Sequence, residues 1–206
     1  VRGFSGSGVE LERTCGWLHQ DPDKDQEYFL GPTCEQLALE ACHRMRFPEL
    51  KQVLQRWRSY LADLETPRPE GLGAIHPFLA HGADRLLPPH FVDVSLSNFV
   101  AVGDRLEFID QEWHAMEGVE APLVMTRSLW YFARDLVTSG AAHPWPDEVR
   151  VDELACNLGQ LCGLTIDPHL LVSFRRAEAA LQRLVSGSEV SSFEDEYERL
   201  GSLSRL

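Results

Sequence analysis

Residues 91–113 read FVDVSLSNFVAVGDRLEFIDQEW. Two strand-forming runs, Phe99 to Val102 and Arg105 to Ile109, flank Gly103-Asp104, and a two-residue Gly-Asp loop between such runs predicts a β-hairpin. With that turn, Val102 faces Arg105 and Asn98 faces Ile109. Asp110 then falls beside Asn98 where both strands leave the pairing, so an amide and a carboxylate distant in sequence converge at the open end. Both are hard oxygen donors, suited to Mg2+. Asp93, on the loop entering the same end, is placed to accept a proton from an attacking hydroxyl. Taken singly, Asp and Asn in loops are ordinary turn formers; the spacing and the hairpin together mark them as candidates.

Helices are expected on both sides of this stretch. Thr33-Cys34-Glu35-Gln36 has capping-box spacing and predicts a helix to about Arg46. From Pro48, the residues Leu50, Val53, Leu54, Trp57, Leu61 and Leu64 recur at spacings of three and four, the stripe of a core helix. Thr66 to Pro89, rich in Pro and Gly, reads as loop. Further helices are expected over 121–139, closed by Gly140, over 151–162, and over 168–186 with Asp167 as cap, Pro168 in the first turn and Gly187 past the end. Upstream, Val9 to His19 and Gln26 to Leu30 predict a hairpin around the acidic loop 21–25, and Val1 to Gly8 reads as a linker that lacks the P-loop ending. The sum is an α+β domain, mainly helical with small hairpins. Its expected segments are 1–30 with a remnant hairpin, a helical lobe over 31–187, and a polar tail over 188–206 with a weak helical pattern.

The motif residues, taken together, resemble the kinase superfamily, where an Asp is followed five residues on by Asn and, after a short hairpin, by a metal-gripping Asp. Ile109-Asp110-Gln111-Glu112 is similar to the metal-binding motif of the aminoglycoside-phosphotransferase branch. The resemblance implies a protein-kinase-like C-lobe, Asp93 as catalytic base, Asn98 and Asp110 as magnesium ligands, Glu112 and Ser95 in support, and ATP with Mg2+ as cofactors. QEYFLGPTCEQL resembles the kinase hinge, which implies that the backbone of Glu27, Tyr28, Phe29 and Leu30 meets the adenine edge. NFVAVGDRLEFIDQEW, with a later Pro-Leu and Arg127, resembles kinase-like modules attached to bacterial methyltransferases and glycosyltransferases of surface-polysaccharide assembly. The implied partners are a nucleotide, a hydroxyl-bearing small molecule or glycan, and an attached methyltransferase or glycosyltransferase domain.

Three positions depart from the family pattern. Phe91 stands where the family has His, Ser95 stands where it has a phosphate-contacting Lys or His, and the short stretch before the hinge-like segment implies a nearly absent N-lobe. The expectation is therefore either an ATP/Mg-dependent phosphotransferase acting on a hydroxyl, or a pseudokinase-type scaffold. A methyltransferase by itself is disfavoured, because no glycine-rich strand-to-helix turn precedes an acidic strand end. Histidines 76, 81, 90 and 114 match no standard zinc spacing, and no G-x-S-x-G surrounds Ser95 or Ser97.

Composition narrows the partners. A net charge of −13 repels nucleic-acid phosphates and anionic membranes. No apolar run is long enough to span a bilayer. The five cysteines, without paired spacing, read as free thiols of a reducing compartment, which implies a cytoplasmic location, with Cys156 and Cys162 as helix core residues.

Overall fold

A computed structural model describes residues 3–5, 8–10, 14–20, 28–186 and 193–204. Strands β1 (Gly3–Ser5) and β2 (Gly8–Glu10) pair with each other. Strands β3 (Thr14–Cys15) and β4 (Leu18–Gln20) form a tight hairpin in which Gly16 takes a φ of +60°. This replaces the expected hairpin between Val9–His19 and Gln26–Leu30. Residues 28–30 carry no strand, residues 26 and 27 lie outside the described residues, and β4 finds its second neighbour far along the chain instead.

Helix α1 (Cys34–His43) begins with the expected capping box. Thr33 Oγ1 accepts from Gln36 N (3.1 Å), and Gln36 Oε1 accepts from Thr33 N (2.9 Å). It stops short of the expected Arg46 because Met45 turns left-handed (φ +54°). Met45 N then reaches Cys42 O and Arg46 N reaches Ala41 O, a Schellman closure built without glycine. Helix α2 (Phe47–Leu64) buries Leu50, Leu54, Trp57 and Leu61 completely and packs on α1.

The loop from 66 to 89 contains two short strands, β5 (Thr66–Pro67) and β6 (Arg85–Leu87). The central hairpin is β7 (Phe99–Val102) with β8 (Arg105–Phe108). Its register, Val102 opposite Arg105 and Phe99 opposite Phe108, is the expected one. Gly103 holds the turn at φ +58°. Strand β9 (Trp113–Ala115) pairs with β4, and β10 (Val119–Glu120) pairs with β6, which also pairs with β5.

Helix α3 (Ala121–Ser139) ends as expected at left-handed Gly140 (φ +66°). Helix α4 (Val151–Leu161) and helix α5 (Pro168–Ser186) pack on it, and Asp167 caps α5 by accepting from Leu170 N (2.7 Å). Helix α6 (Phe193–Gly201) occupies the stretch with only a weak helical pattern in sequence, and its Tyr197 is buried against Trp130 and Phe174. The architecture is α+β and mainly helical, and no helix among the described residues is long and apolar enough to cross a membrane. Cys34, Cys42, Cys156 and Cys162 are free thiols, and burial pushes Cys34 up to about 11 and Cys42 up to about 12.

Two buried polar arrangements organise the irregular regions. Glu120, fully buried at the start of α3, accepts from Arg68 Nη1 (2.8 Å), His81 N (3.0 Å) and Gly82 N (2.8 Å), which ties the 66–89 loop to the helical layer. His76 is buried face to face with Trp17 (5.4 Å between centroids), and burial lowers its pKa to about 4. The unfolded chain protonates His76 near its ordinary value of about 6.5, so stability falls as the pH drops from there toward about 4. Urea unfolding of wild type and His76→Gln at pH 7 and pH 5 is expected to show a wild-type loss larger by about 2 kcal/mol.

Candidate functional site

A stack of buried aromatics fixes the candidate residues. Phe91 lies on Phe108 (4.5 Å, 18°), Phe108 on Phe99 (4.9 Å, 24°), and Trp57 meets the edge of Phe99 (6.3 Å). Phe91 is two residues before Asp93, Phe99 directly follows Asn98, and Phe108 is two residues before Asp110. Each candidate therefore hangs from an immobilised ring. Phe91, where the family pattern has His, is the first ring of this stack.

The backbone between the rings is closed by local hydrogen bonds. Asp93 ends a short 3-10 turn, Pro89–Asp93, and Ser95 caps the next one, Leu96–Asn98, by accepting from Ser97 N (3.4 Å). Asn98 Nδ2 donates to Asp93 O (3.2 Å), so the amide ties the loop on which Asp93 sits. Its Oδ1 accepts from Ser97 Oγ (3.2 Å), which also shares a hydrogen bond with Ser95 Oγ (2.8 Å). Leu96 N donates to Ser128 Oγ of α3 (3.0 Å), and Ile109 N donates to Asn98 O (2.8 Å). Asp110 follows in a left-handed conformation at φ +60°, sparsely populated by non-glycine residues.

Asp93, Ser95, Asn98 and Asp110 line one open cleft of about 530 Å3. The rest of its lining includes Arg127, Tyr131, Arg134 and Asp135 on α3, with Glu35 from the first turn of α1 and Gln182 from α5. Four carboxylates and two guanidiniums thus face the same space. Asp110 is raised above the ordinary carboxylate range by burial and then by the charges of Asp93 and Glu112. Glu35 is raised by burial and then by Asp135. Glu112 does not line the cleft; its Oε2 accepts from Gln20 Nε2 on β4 (3.2 Å), and its charge acts on Asp110.

Behind Asp93 lies a network that the sequence did not reveal as a unit. Arg127 Nη1 donates to Asp93 Oδ1 (2.6 Å) and Arg127 Nε donates to Glu178 Oε2 (2.5 Å). The other Glu178 oxygen accepts from Tyr131 OH (2.6 Å) and Gln182 Nε2 (2.8 Å), and Tyr131 OH pairs with Tyr197 OH (2.9 Å). Glu178 has no solvent exposure. Burial alone would lower Arg127, but the charges of Glu178 and Asp93 outweigh it and raise its pKa. Burial and then Glu178 raise the Tyr131 phenol, and the same two causes push Tyr197 up to about 12. The available signal was Glu178 itself, a carboxylate on the apolar spacing Phe174, Ala177, Leu181.

The hinge-like residues stand elsewhere. Tyr28 (88% exposed) and Leu30 (79% exposed) do not line the cleft, nor does half-buried Phe29, and Glu27 lies outside the described residues. The segment is held along the β7 edge. Ala101 N donates to Pro32 O (2.9 Å), and a Cβ on Gly31 would sit 2.1 Å from Ala101 O, so only glycine fits. Among the histidines, His90 stacks on Phe108 and lies tilted against Phe91 beside His114, and His81 packs against His169. No group of three His, Cys, Asp or Glu side chains among the described residues is arranged to hold a metal ion by itself. The chain matches no family model, no curated protein and no solved structure.

The network and the strained Asp110 each generate an expected outcome. Glu178→Leu leaves Arg127 buried beside one partner, and should cost about 3–5 kcal/mol in urea unfolding. The Arg127→Met/Glu178→Leu pair should cost less than the two single changes combined, because the pair removes both charges together. Asp110→Asn should raise the thermal midpoint at pH 7, since Asn tolerates the left-handed conformation and ends the repulsion with Asp93 and Glu112. That gain should shrink as the pH falls, because Asp110, with its raised pKa, takes up a proton and loses the same repulsion.

Proposed function

We propose that this chain is a kinase-like phosphotransferase lobe that uses ATP and Mg2+ to phosphorylate a hydroxyl of a small molecule or glycan. It resembles the aminoglycoside-phosphotransferase type and would work beside an attached methyltransferase or glycosyltransferase domain. The observation that carries this reading is the convergence of Asp93, Asn98 and Asp110 on one cleft, with the Asn98 amide bonded to the Asp93 backbone.

In this reading each residue has a defined part. The Asp93 carboxylate accepts the proton of the attacking hydroxyl, and Arg127 fixes its orientation through Oδ1. Asn98 Oδ1 and the Asp110 carboxylate would hold magnesium, a donor set that fits an ion which keeps several waters and takes only one or two protein carboxylates. When bound, the ion offsets the charge of the nucleotide phosphates. The cleft carries more carboxylates than guanidiniums, so bare ATP is repelled and a cation has to accompany it. Ser95 and Ser97 supply hydroxyl donors to the same space but no charge.

A second reading, an inactive pseudokinase-type scaffold, is favoured by the ion pair that occupies Asp93 and by Ser95 in place of a cation. Titration calorimetry of ATP with and without Mg2+ separates the two. Phosphotransfer requires Mg-dependent binding in wild type, weakened at least tenfold in Asp110→Ala, about 1.4 kcal/mol. Absence of binding at millimolar ATP, or binding that is indifferent to Asp110, sinks the phosphotransferase assignment.

A further inference from the structure

Two pockets share the Asp93–Arg127 pair. One is the cleft described above. The other is a side pocket of about 160 Å3 walled by Val92, Trp113, Leu181 and Val185, with Asp93, Arg127 and Gln182 common to both. Asn98 and Asp110 line the cleft and not the side pocket. We propose that the side pocket is the acceptor subsite and that it takes a neutral, hydroxyl-bearing ring the size of one monosaccharide. This inference rests on the phosphotransferase reading.

The charge of the pocket selects the class. Arg127 is the cation on its wall, and it is already paired with Asp93 and with buried Glu178. It therefore offers little to an anionic ligand, and Asp93 offers little to a cationic one. The remaining lining is an indole and three aliphatic side chains, which suit the apolar face of a ring. Gln182 donates its amide N–H to Glu178 Oε1, which leaves its own carbonyl oxygen as a hydroxyl acceptor. The volume equals about five liquid-water volumes, room for one ring and not for an extended chain.

The position also matches the reaction. The base must touch the acceptor hydroxyl, and the groups suited to magnesium must touch the donor phosphates. Asp93 belongs to both pockets and the groups suited to magnesium to one, which assigns acceptor and donor to different chambers. The acceptor oxygen forms a bond to the γ-phosphorus as the bond between that phosphorus and the bridging oxygen of ADP breaks. The hydroxyl proton passes to Asp93 and then to solvent, and ADP leaves with the bond electrons.

The test uses ATP labelled at the γ-phosphate, Mg2+, and a panel of neutral monosaccharides (glucose, galactose, mannose, rhamnose and their methyl glycosides), with hexosamines and uronic acids as charged controls. Wild type should label at least one neutral sugar. Val185→Trp, which fills the pocket, should raise the KM for that sugar at least tenfold while the Kd for Mg-ATP stays within twofold. Mg-ATP binding without labelling of any neutral sugar, labelling of charged sugars alone, or a KM unmoved by Val185→Trp overturns the subsite and leaves the nucleotide site standing. Absence of Mg-ATP binding in wild type overturns both readings at once.

Discussion

A guanidinium buried between two carboxylates is the constraint on which this structure turns. Arg127 cannot leave water unless its charge is matched, and Asp93 on its loop and Glu178 on α5 match it from two separate elements. Glu178, fully buried, equally requires Arg127, Tyr131 and Gln182. The result is that the Asp93 loop, α3, α5 and, through the Tyr131–Tyr197 contact, α6 form one hydrogen-bonded body. Such a network is costly to break at one member and specifies a single arrangement of the elements it joins.

The aromatic stack sets the other half of the geometry. Burial of Phe91, Phe99 and Phe108 places three polar side chains at the rim of the core, where they line the open cleft. The hydrogen bond from Asn98 Nδ2 to Asp93 O then removes freedom from the loop between them. Asp110 is the exception to this relaxed geometry, since it combines a left-handed backbone with two neighbouring negative charges.

Local chemistry made much of the fold legible. The Gly-Asp turn and the strand-forming runs beside it define the β7–β8 register, and that register alone brings Asn98 and Asp110 together. Thr33 with Gln36 marks the start of α1, and Gly140 marks the end of α3, because caps act within one helical turn. Legibility failed where a short strand had to choose a distant partner. Strand β4 pairs with β9, more than ninety residues away, and nothing in the alternation of Leu18–Gln20 names that partner. The residues 28–30 carry strand-forming side chains yet remain outside any strand, since the β7 edge takes up the chain at Pro32 and Thr33 instead. Helix α6 escaped a firm reading because so short a helix is marginal on its own and is held by Tyr197 in the core.

The sequence by itself therefore determined the helical periods, the central hairpin and the meeting of Asn98 with Asp110, since all of these follow from interactions spanning a few residues or one turn. Only the tertiary structure decided what stands behind and opposite them. Arg127 lies 34 residues from Asp93 and 51 from Glu178, and their contact depends on how α3 and α5 pack rather than on any spacing along either helix. Helix α3 likewise brings Arg134 and Asp135 to the cleft, and the packing of α1 on β7 and the turn before it brings Glu35. The ion pair at Asp93 comes from this long-range packing, which a one-dimensional pattern does not encode.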